Sequence, residues 1–327
     1  MIDFSSSNVE ELLEKYKNIQ TDTIFNFNEM FKTYPDHAKF VSQHYVKTGF
    51  KTLDKMIYSI QAGEVVTIVA KTNAGKTAFL LNLIRNNLNE KTIIPYFSLE
   101  NTEFQLLERI VQLETGTQFY ETQKKFLKND TDFIETVKKI SDKWTKGGLI
   151  SIVKRVPLDL IVPYIRVCEE LSKKRASFVC IDYIGLVRSS KPGDYERMTE
   201  IAQGIKEFAL KTKIPFICVS QTARINSKDK LSGMSTAKGS GAIEESSQML
   251  YNLDTVEGVP AEMYEDKGLV KLVEDKKVTL LVLTPEKLKR KDWHPIYIIM
   301  DKNSLKMYEY NTESINQINQ IYEELPF

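Results

Sequence analysis

The sequence predicts an α/β fold whose central sheet is mostly parallel and flanked by helices, with antiparallel strands added at the C-terminal side. Two observations predict the parallel part. Apolar, β-rich runs recur between residues 65 and 253, and helical segments separate several of them. A third observation, a series of closely spaced apolar runs after residue 268, predicts the antiparallel strands.

The length of 327 residues, with 42% hydrophobic residues, allows one large core and an appendage. We expect an N-terminal arm at 1–45, a main domain at 46–312 and a C-terminal tail at 313–327. Within the arm, residues 8–17 carry apolar side chains on one helical stripe, whereas residues 18–45 show no steady period. The apolar stripe covers either its own domain or a neighbouring subunit, and the sequence leaves both interpretations open.

The main domain begins with a predicted strand–helix–strand unit. VVTIVA (65–70) is the first strand, AFLLNLIRNNL (78–88) is the helix, and TIIPYFSL (92–99) is the second strand. The next predicted elements are strands over 177–187, 214–221 and 246–253, and a helix over 199–213. The segments LVKLVEDK, VTLLVLTPE, HPIYIIMD and LKMYEY are then predicted as strands joined by short turns.

Composition excludes several classes of protein. Lys and Arg number 45 against 44 Asp and Glu, so the net charge of +1 does not indicate a polyanion partner, and any nucleic-acid surface must be local. Three widely spaced cysteines without a CxxC exclude a disulfide framework and a thiolate zinc site. The N-terminus lacks the pattern of a secretory signal and no apolar run is long enough to span a bilayer, so we expect an intracellular protein without a membrane partner.

A candidate phosphate-binding loop lies between the first strand and its helix. Its residues are Ala70, Lys71, Thr72, Asn73, Ala74, Gly75, Lys76 and Thr77. In such a loop, backbone N–H groups and the helix N-terminus surround the phosphates, a lysine reaches the terminal phosphates, and a hydroxyl binds Mg²⁺. Lys76 and Thr77 are the candidates for these two roles. Ala70 departs from the pattern GxxxxGK[ST], and a GKT triplet also occurs by chance, but the flanking strand and helix favour a phosphate site.

Three polar residues follow apolar strands, where the ends of parallel strands converge. Asp182 ends the run SFVCID and is a candidate to hold the water shell of Mg²⁺. Glu100 follows the second strand, where a carboxylate can activate water, and Gln221 ends IPFICVSQ, where an amide can bond a γ-phosphate. Each residue taken singly also fits a helix cap or a solvated strand end, so the functional interpretation depends on the set.

The order and spacing of five segments resemble a known family. They are TGFKTLDKMIYSIQAGEVVTIVAKTNAGKT, FSLE, FVCIDYIGL, IPFICVSQTAR and KGSGAIEESSQMLYNL. Over about residues 45–310 the chain resembles the ATPase domain of DnaB-type (superfamily 4) hexameric replicative DNA helicases. FSLE and IDY are closer to that family than to the recombinases that share its RecA-like core. The resemblance implies a RecA-like P-loop NTPase fold.

The resemblance also implies roles for the candidate residues, with ATP and Mg²⁺ as cofactors. These roles are phosphate binding by Lys76, metal binding by Thr77 and Asp182, base catalysis by Glu100 and γ-phosphate sensing by Gln221. They agree with the chemistry inferred from the residues themselves.

In the segment KGSGAIEE (238–245) the family has a loop that lines the ring channel and holds the backbone of single-stranded DNA. The counterparts here are Lys238, Gly239 and Gly241, and small residues with one cation suit phosphates rather than bases. Without the resemblance, this segment would be interpreted as a glycine-rich loop with a solvated lysine.

The family further supplies a Lys-x-Arg pair that reaches the γ-phosphate bound by the neighbouring subunit. The arginine position falls on Arg290, but Leu288 occupies the lysine position. Lys287 and Lys289 are the candidate replacements, and an arginine finger alone is the other interpretation.

The resemblance implies a homohexameric replicative helicase that translocates on single-stranded DNA and unwinds duplex. A primase and a helicase loader or other replisome proteins are its expected partners, in the bacterial cytoplasm or a phage-infected host cell. Only about forty residues precede the core, which leaves no room for the family's N-terminal collar domain. Two alternatives remain: a RecA/RadA-like recombination or repair ATPase that forms filaments on DNA, and a helicase-like loader ATPase without unwinding activity.

Overall fold

The computed structural model describes residues 6–17, 27–43, 46–57, 60–221, 240–288 and 294–324. Six strands run parallel: β1 (Val65–Ala70), β2 (Ile94–Ser98), β3 (Leu149–Ile152), β4 (Val179–Asp182), β5 (Phe216–Gln221) and β6 (Met249–Thr255). Three more continue the sheet in antiparallel pairing: β7 (Val278–Lys287), β8 (Ile296–Asp301) and β9 (Met307–Glu309). The order across the sheet is β3-β2-β4-β5-β1-β6-β7-β8-β9. The predicted fold class is therefore confirmed.

Helices connect and cover these strands in the described part of the chain. They are α1 (Ser6–Tyr16), α2 (Phe27–Gln43), α3 (Lys51–Ile57), α4 (Lys76–Asn86), α5 (Glu103–Thr115), α6 (Phe119–Leu127), α7 (Thr131–Lys146), α8 (Ile161–Ser172), α9 (Asp194–Thr212), α10 (Ser240–Ser246), α11 (Lys267–Glu274) and α12 (Thr312–Glu324). None of these helices has the length and apolar content that crossing a membrane requires.

The parallel strands are buried on both faces. In β1, Val66 and Ile68 pack in one core with residues of α4 and α5, whereas Val65 and Val69 pack in a second core with residues of α8 and α9. Successive side chains of a strand point to opposite faces, so a strand covered on both sides needs an unbroken apolar run. This requirement explains why VVTIVA shows no alternation of apolar and polar residues.

A third core at the C-terminal side corrects one prediction. The segment LVKLVEDK, predicted as a strand, lies mostly in α11. Leu269 and Leu272 are buried three residues apart, the spacing of one helical face, and the side chain of Asp266 accepts a hydrogen bond from the backbone N–H of Leu269 at the start of the helix. Ile315 and Ile318 of α12 lie in the same core.

The N-terminal arm is more helical than the sequence indicates. Residues 18–45 are expected to lack a period, yet α2 spans much of this stretch and contains Pro35. Phe27, Phe31 and Tyr34 recur on it at helical spacing, but all three are exposed. The preceding helix α1 packs on α8 of its own chain, where the Tyr16 hydroxyl and the Lys15 ammonium bond the carboxylate of Glu170.

Two further differences concern the middle of the chain. The predicted strand at 177–187 is shorter, because β4 ends at Asp182 and a 3-10 turn follows at Ile184–Leu186. Between residues 101 and 176 the sequence indicates no element, whereas the structure has four helices and β3, which forms the edge of the sheet beside β2. The helices of this region cover both faces of the parallel strands.

Candidate active site

The candidate phosphate loop connects β1 to α4 at the carboxyl edge of the sheet. The backbone N–H of Ala74 donates to the carbonyl of Lys71 at 3.2 Å, and Gly75 then adopts φ 86°, a left-handed conformation that favours glycine. The turn brings the first turn of α4 directly after β1, so the positive end of the helix dipole faces the loop. Asn73 is the other residue of the loop with positive φ, at 64°.

The departure from the glycine pattern at Ala70 has a structural explanation. Ala70 is the last residue of β1, is buried, and pairs with Gln221 of β5. A strand residue has negative φ and does not need the freedom of glycine. Alanine at this position is therefore compatible with the loop.

The side chain of Lys76 lies against the loop that it follows. Its ammonium donates to the carbonyl oxygens of Lys71, at 2.6 Å, and Ala70, at 3.3 Å. Burial lowers the pKa of the ammonium, and the negative charges of Glu100 and Asp182 oppose that change. The arrangement places a cation beside backbone donors, which is a surface suited to phosphate oxygens.

Asp182 is the most buried carboxylate of the site. One of its oxygens, Oδ2, accepts hydrogen bonds from the Thr77 hydroxyl at 2.7 Å and from the Tyr96 hydroxyl at 2.9 Å. The other, Oδ1, is buried without a partner among the described residues. Burial raises the pKa of this carboxyl, against the hydrogen bonds from Thr77 and Tyr96 and the charge of Lys76.

An unpartnered carboxylate oxygen next to a threonine hydroxyl fits a hard cation such as Mg²⁺. The described residues contain no group of three or more His, Cys, Asp or Glu side chains that could hold a metal ion. A cation bound at Thr77 and Asp182 therefore depends on phosphate and water for its remaining ligands, as Mg²⁺ does in nucleotide sites.

Glu100 and Gln221 border the same edge of the sheet. Glu100 is exposed two residues beyond β2, and the backbone N–H of Leu99 donates to the carbonyl of Asp182 at 2.8 Å, which holds the end of β2 beside β4. Gln221 ends β5, and its side-chain amide donates to the hydroxyl of Thr72 in the loop. The structure thus brings the predicted acid, amide and phosphate loop to one edge.

The other predicted residues are not brought into this site. Lys238, Gly239, Lys289 and Arg290 lie outside the described residues. Gly241 is exposed in α10, on the face of the sheet that α9 covers.

The candidates for the missing finger lysine differ in what they contact. Leu288 packs against the core beside α4, which explains an apolar residue at that position. The ammonium of Lys287 donates to the carbonyl of Glu244 in α10 at 2.6 Å. In this structure Lys287 therefore joins the end of β7 to the helix that contains Gly241.

Tyr96 is the one residue of the site that the sequence does not indicate. It lies inside the apolar run of β2 and is fully buried, so the run indicates only a core position. The available signal is its hydroxyl, because a buried tyrosine hydroxyl ordinarily requires a hydrogen-bond partner.

Comparison with solved structures supports the fold. One solved helicase-type ATPase domain superposes with a TM-score of 0.68 at 20% identity and covers 88% of this chain and 100% of that one. A DnaB-like replicative helicase, solved for its interactions with primase, gives a TM-score of 0.66 at 20% identity and covers 93% of this chain and 71% of that one. These similarities show the expected RecA-like ATPase fold.

Comparison with known sequences identifies the family. Replicative DNA helicase DnaB of Mycoplasma pneumoniae is 28% identical over 238 residues, 68% of this chain and 49% of that protein. A probable plasmid replicative DNA helicase of Chlamydia psittaci is 28% identical over 212 residues, 62% of this chain and 45% of that protein. The chain therefore spans about half the length of these relatives, and they do not favour the recombinase alternative. Since residues 45–279 match the DnaB-like helicase C terminal domain, the chain belongs to that family.

Proposed function

We propose that this protein is an ATP-dependent replicative DNA helicase. In this proposal a homohexameric ring hydrolyses ATP at its subunit interfaces, translocates on single-stranded DNA and unwinds duplex. The observation that carries the proposal is the convergence of the phosphate loop, Asp182, Glu100 and Gln221 at one edge of a RecA-like sheet. Residues of different strands meet there in the arrangement that phosphoryl transfer requires.

The proposed roles follow from the chemistry of each group. Lys76 and the N–H groups of residues 70–77 hold the phosphates of ATP, and Thr77 and Asp182 hold Mg²⁺. Bound Mg²⁺ would neutralise phosphate charge as it develops. Glu100 is the base that orients and deprotonates the attacking water, which its exposed position beyond β2 permits.

Gln221 connects the nucleotide to the DNA loop in this proposal. Its amide already contacts Thr72 of the phosphate loop, so a γ-phosphate bound there would compete for or extend that contact. Along the chain, Gln221 precedes the segment with Lys238, Gly239 and Gly241, which we propose binds the DNA backbone. Arg290 is the proposed finger to the neighbouring subunit's ATP, and Lys289 is then the nearer replacement for the missing lysine, since Lys287 bonds to α10.

We also propose the division of the chain into an arm at 1–45, an ATPase domain at 46–312 and a tail at 313–327. The expected partners are a primase and a helicase loader or other replisome proteins. The expected location is the bacterial cytoplasm or a phage-infected host cell, where replication forks supply single-stranded DNA.

Strand separation on a forked DNA duplex tests the proposal. The wild-type protein is expected to unwind the fork with ATP and Mg²⁺, and Lys76→Ala is expected to lower the rate by roughly a hundredfold or more, because it removes the cation at the phosphates. Lys139→Ala is the matched control, because Lys139 is exposed on α7, away from the sheet edge, and this variant should unwind at the wild-type rate.

Two results would contradict the proposal. Unwinding that persists in Lys76→Ala would separate the activity from this site. ATP hydrolysis stimulated by DNA, without any strand separation by the wild type, would favour a loader ATPase instead.

A further inference from the structure

The hydrogen bond between Tyr96 and Asp182 gives the buried carboxylate a partner from a second strand. Tyr96 lies on β2 and pairs in register with Cys180, two residues before Asp182 on β4. Residues two apart on a strand share one face, so the tyrosine ring lies diagonally across from the carboxylate and can reach it. The hydroxyl donates to Oδ2 at 2.9 Å.

The hydroxyl of Tyr96 is not needed for packing. The residue is fully buried in the core beside α4, where a phenylalanine ring would fill almost the same volume. A buried hydroxyl is costly unless it is hydrogen-bonded, and its partner here is the Asp182 carboxylate. The position therefore combines an apolar ring with one directed polar contact.

Both donors to Asp182 bond the same oxygen. Thr77 donates from the start of α4 and Tyr96 from β2, while Oδ1 remains buried and unpartnered among the described residues. In the role proposed for Thr77 its hydroxyl oxygen also serves the cation, which leaves Tyr96 as the donor whose task is to hold the carboxylate.

We propose that Tyr96 is a positioning residue for the Mg²⁺ site: its hydroxyl holds Asp182 through Oδ2 so that Oδ1 stays available to the hydrated cation. This inference rests on the proposed function, because it assumes that Asp182 serves Mg²⁺ with a bound nucleotide. Groups that orient a metal-binding carboxylate typically change metal affinity or activity about 10- to 100-fold when they are removed.

The test is the Mg²⁺ dependence of nucleotide binding by Tyr96→Phe in the full chain. A fluorescent, non-hydrolysable ATP analogue is titrated at a series of Mg²⁺ concentrations and in EDTA. The Mg²⁺ concentration for half-maximal binding is expected to rise about tenfold in Tyr96→Phe. Binding in EDTA should stay within about twofold of wild type, because the phosphate loop and Lys76 are intact.

Tyr251→Phe is the matched control. Tyr251 is also a buried strand tyrosine in the core beside α4, and its hydroxyl contacts the sulfur of Met249 at 3.8 Å rather than a carboxylate of the site. This variant should keep the wild-type Mg²⁺ requirement. Tyr96→Met serves as a second variant without the hydroxyl and should reproduce the shift of Tyr96→Phe.

The outcomes separate this inference from the proposed function. A folded Tyr96→Phe protein with an unchanged Mg²⁺ requirement, or an equal shift in Tyr251→Phe, would overturn the positioning role while wild-type binding and unwinding stand. A wild-type protein that binds no nucleotide with Mg²⁺ would instead overturn the proposed function itself.

Discussion

Gly75 is the residue on which the shape of the phosphate loop most directly depends. Its φ of 86° lies where an L-residue with a Cβ is strained, and an added Cβ would lie 3.2 Å from the Met307 Cε atom. The strain and the contact act at the junction of β1 and α4, so they should disturb the N–H groups that face the phosphates.

Gly75→Ala is therefore expected to lower the free energy of unfolding by about 1–2 kcal/mol and also to weaken nucleotide binding. Urea denaturation and titration with the fluorescent ATP analogue measure the two effects. Gly116→Ala is the control: Gly116 has φ 76° with no atom within 4 Å of an added Cβ, and it ends α5. A similar loss of stability with unchanged nucleotide affinity is expected there, and equal affinity losses in both variants would contradict the local explanation.

Among the elements, Glu114 joins three of the helices on one face of the sheet. Its Oε1 atom accepts from Arg85 of α4 at 3.2 Å and from Lys143 and Trp144 of α7 at 2.8 and 2.9 Å. The Trp144 ring is buried, so without Glu114 its N–H loses a partner in a place that water reaches poorly. The packing of these helices therefore depends on one carboxylate.

Glu114→Ala is expected to lower the free energy of unfolding by about 1–3 kcal/mol at pH 7, measured by urea denaturation. Glu108→Ala, on the same helix, removes an exposed hydrogen bond from Gln123 and should change stability by less than about 0.5 kcal/mol. Equal losses in the two variants would show that Glu114 has no special role.

The stabilisation by Glu114 also depends on pH. Burial acts to raise the pKa of this carboxyl, but the hydrogen bonds from Lys143 and Trp144 and the charge of Arg85 outweigh it, so the pKa lies below its ordinary value of 4.5. The folded state therefore binds the proton less well than the unfolded state. The contribution is present above that ordinary value and is lost as the pH falls through the lowered pKa.

Unfolding free energies measured between about pH 6 and 3 should therefore converge for the wild type and Glu114→Gln as the pH falls. Glutamine cannot ionise, so its variant lacks this term throughout. A difference between the two proteins that stays constant across the range would contradict the lowered pKa.

The sheet order also determines which elements serve the site. The central strand β5 lies between β1 and β4, so Gln221 ends between the phosphate loop and Asp182. The strand β2 lies beyond β4 and brings Glu100 and Tyr96 to the same edge. Ligands of open parallel sheets bind at the carboxyl ends of strands, and four neighbouring strands supply this site.

At the scale of the whole molecule, the proposed ring predicts a particle mass. Each chain has a mass of 37.7 kDa, so a hexamer has six times that mass, about 226 kDa before DNA. Mass photometry with the non-hydrolysable ATP analogue and single-stranded DNA should give this value, because a nucleotide shared between adjacent subunits favours the closed ring. Particles of continuously varying mass, or monomers under these conditions, would contradict it.

A balanced surface is compatible with DNA binding in such a ring. The net charge of +1 reports on the whole chain, whereas a ring needs cations only along its channel and at the subunit junctions. Lys238 and Arg290 are the proposed cations at those two places, so the charge balance does not argue against a nucleic-acid partner.

Much of the fold and the phosphate site could be predicted from sequence because their signals are local. VVTIVA followed by a GKT triplet and a helix, and apolar runs that end in Asp182 or Gln221, are recognised within about ten residues. Segments with ambiguous local patterns are predicted less well. LVKLVEDK fits either a strand or a helix by its apolar residues, and its packing in the third core determines that it is helical.

The contact between Tyr96 and Asp182 depends on the tertiary structure alone. It joins residues 86 positions apart, and a tyrosine inside an apolar run looks like any core residue until the neighbouring strand is known. The same holds for β3 at the sheet edge and for the packing of α1 on α8. Local patterns specify which residues a chain offers for chemistry, whereas strand order and register decide which of them meet, because pairing across a sheet brings together residues that are distant along the chain.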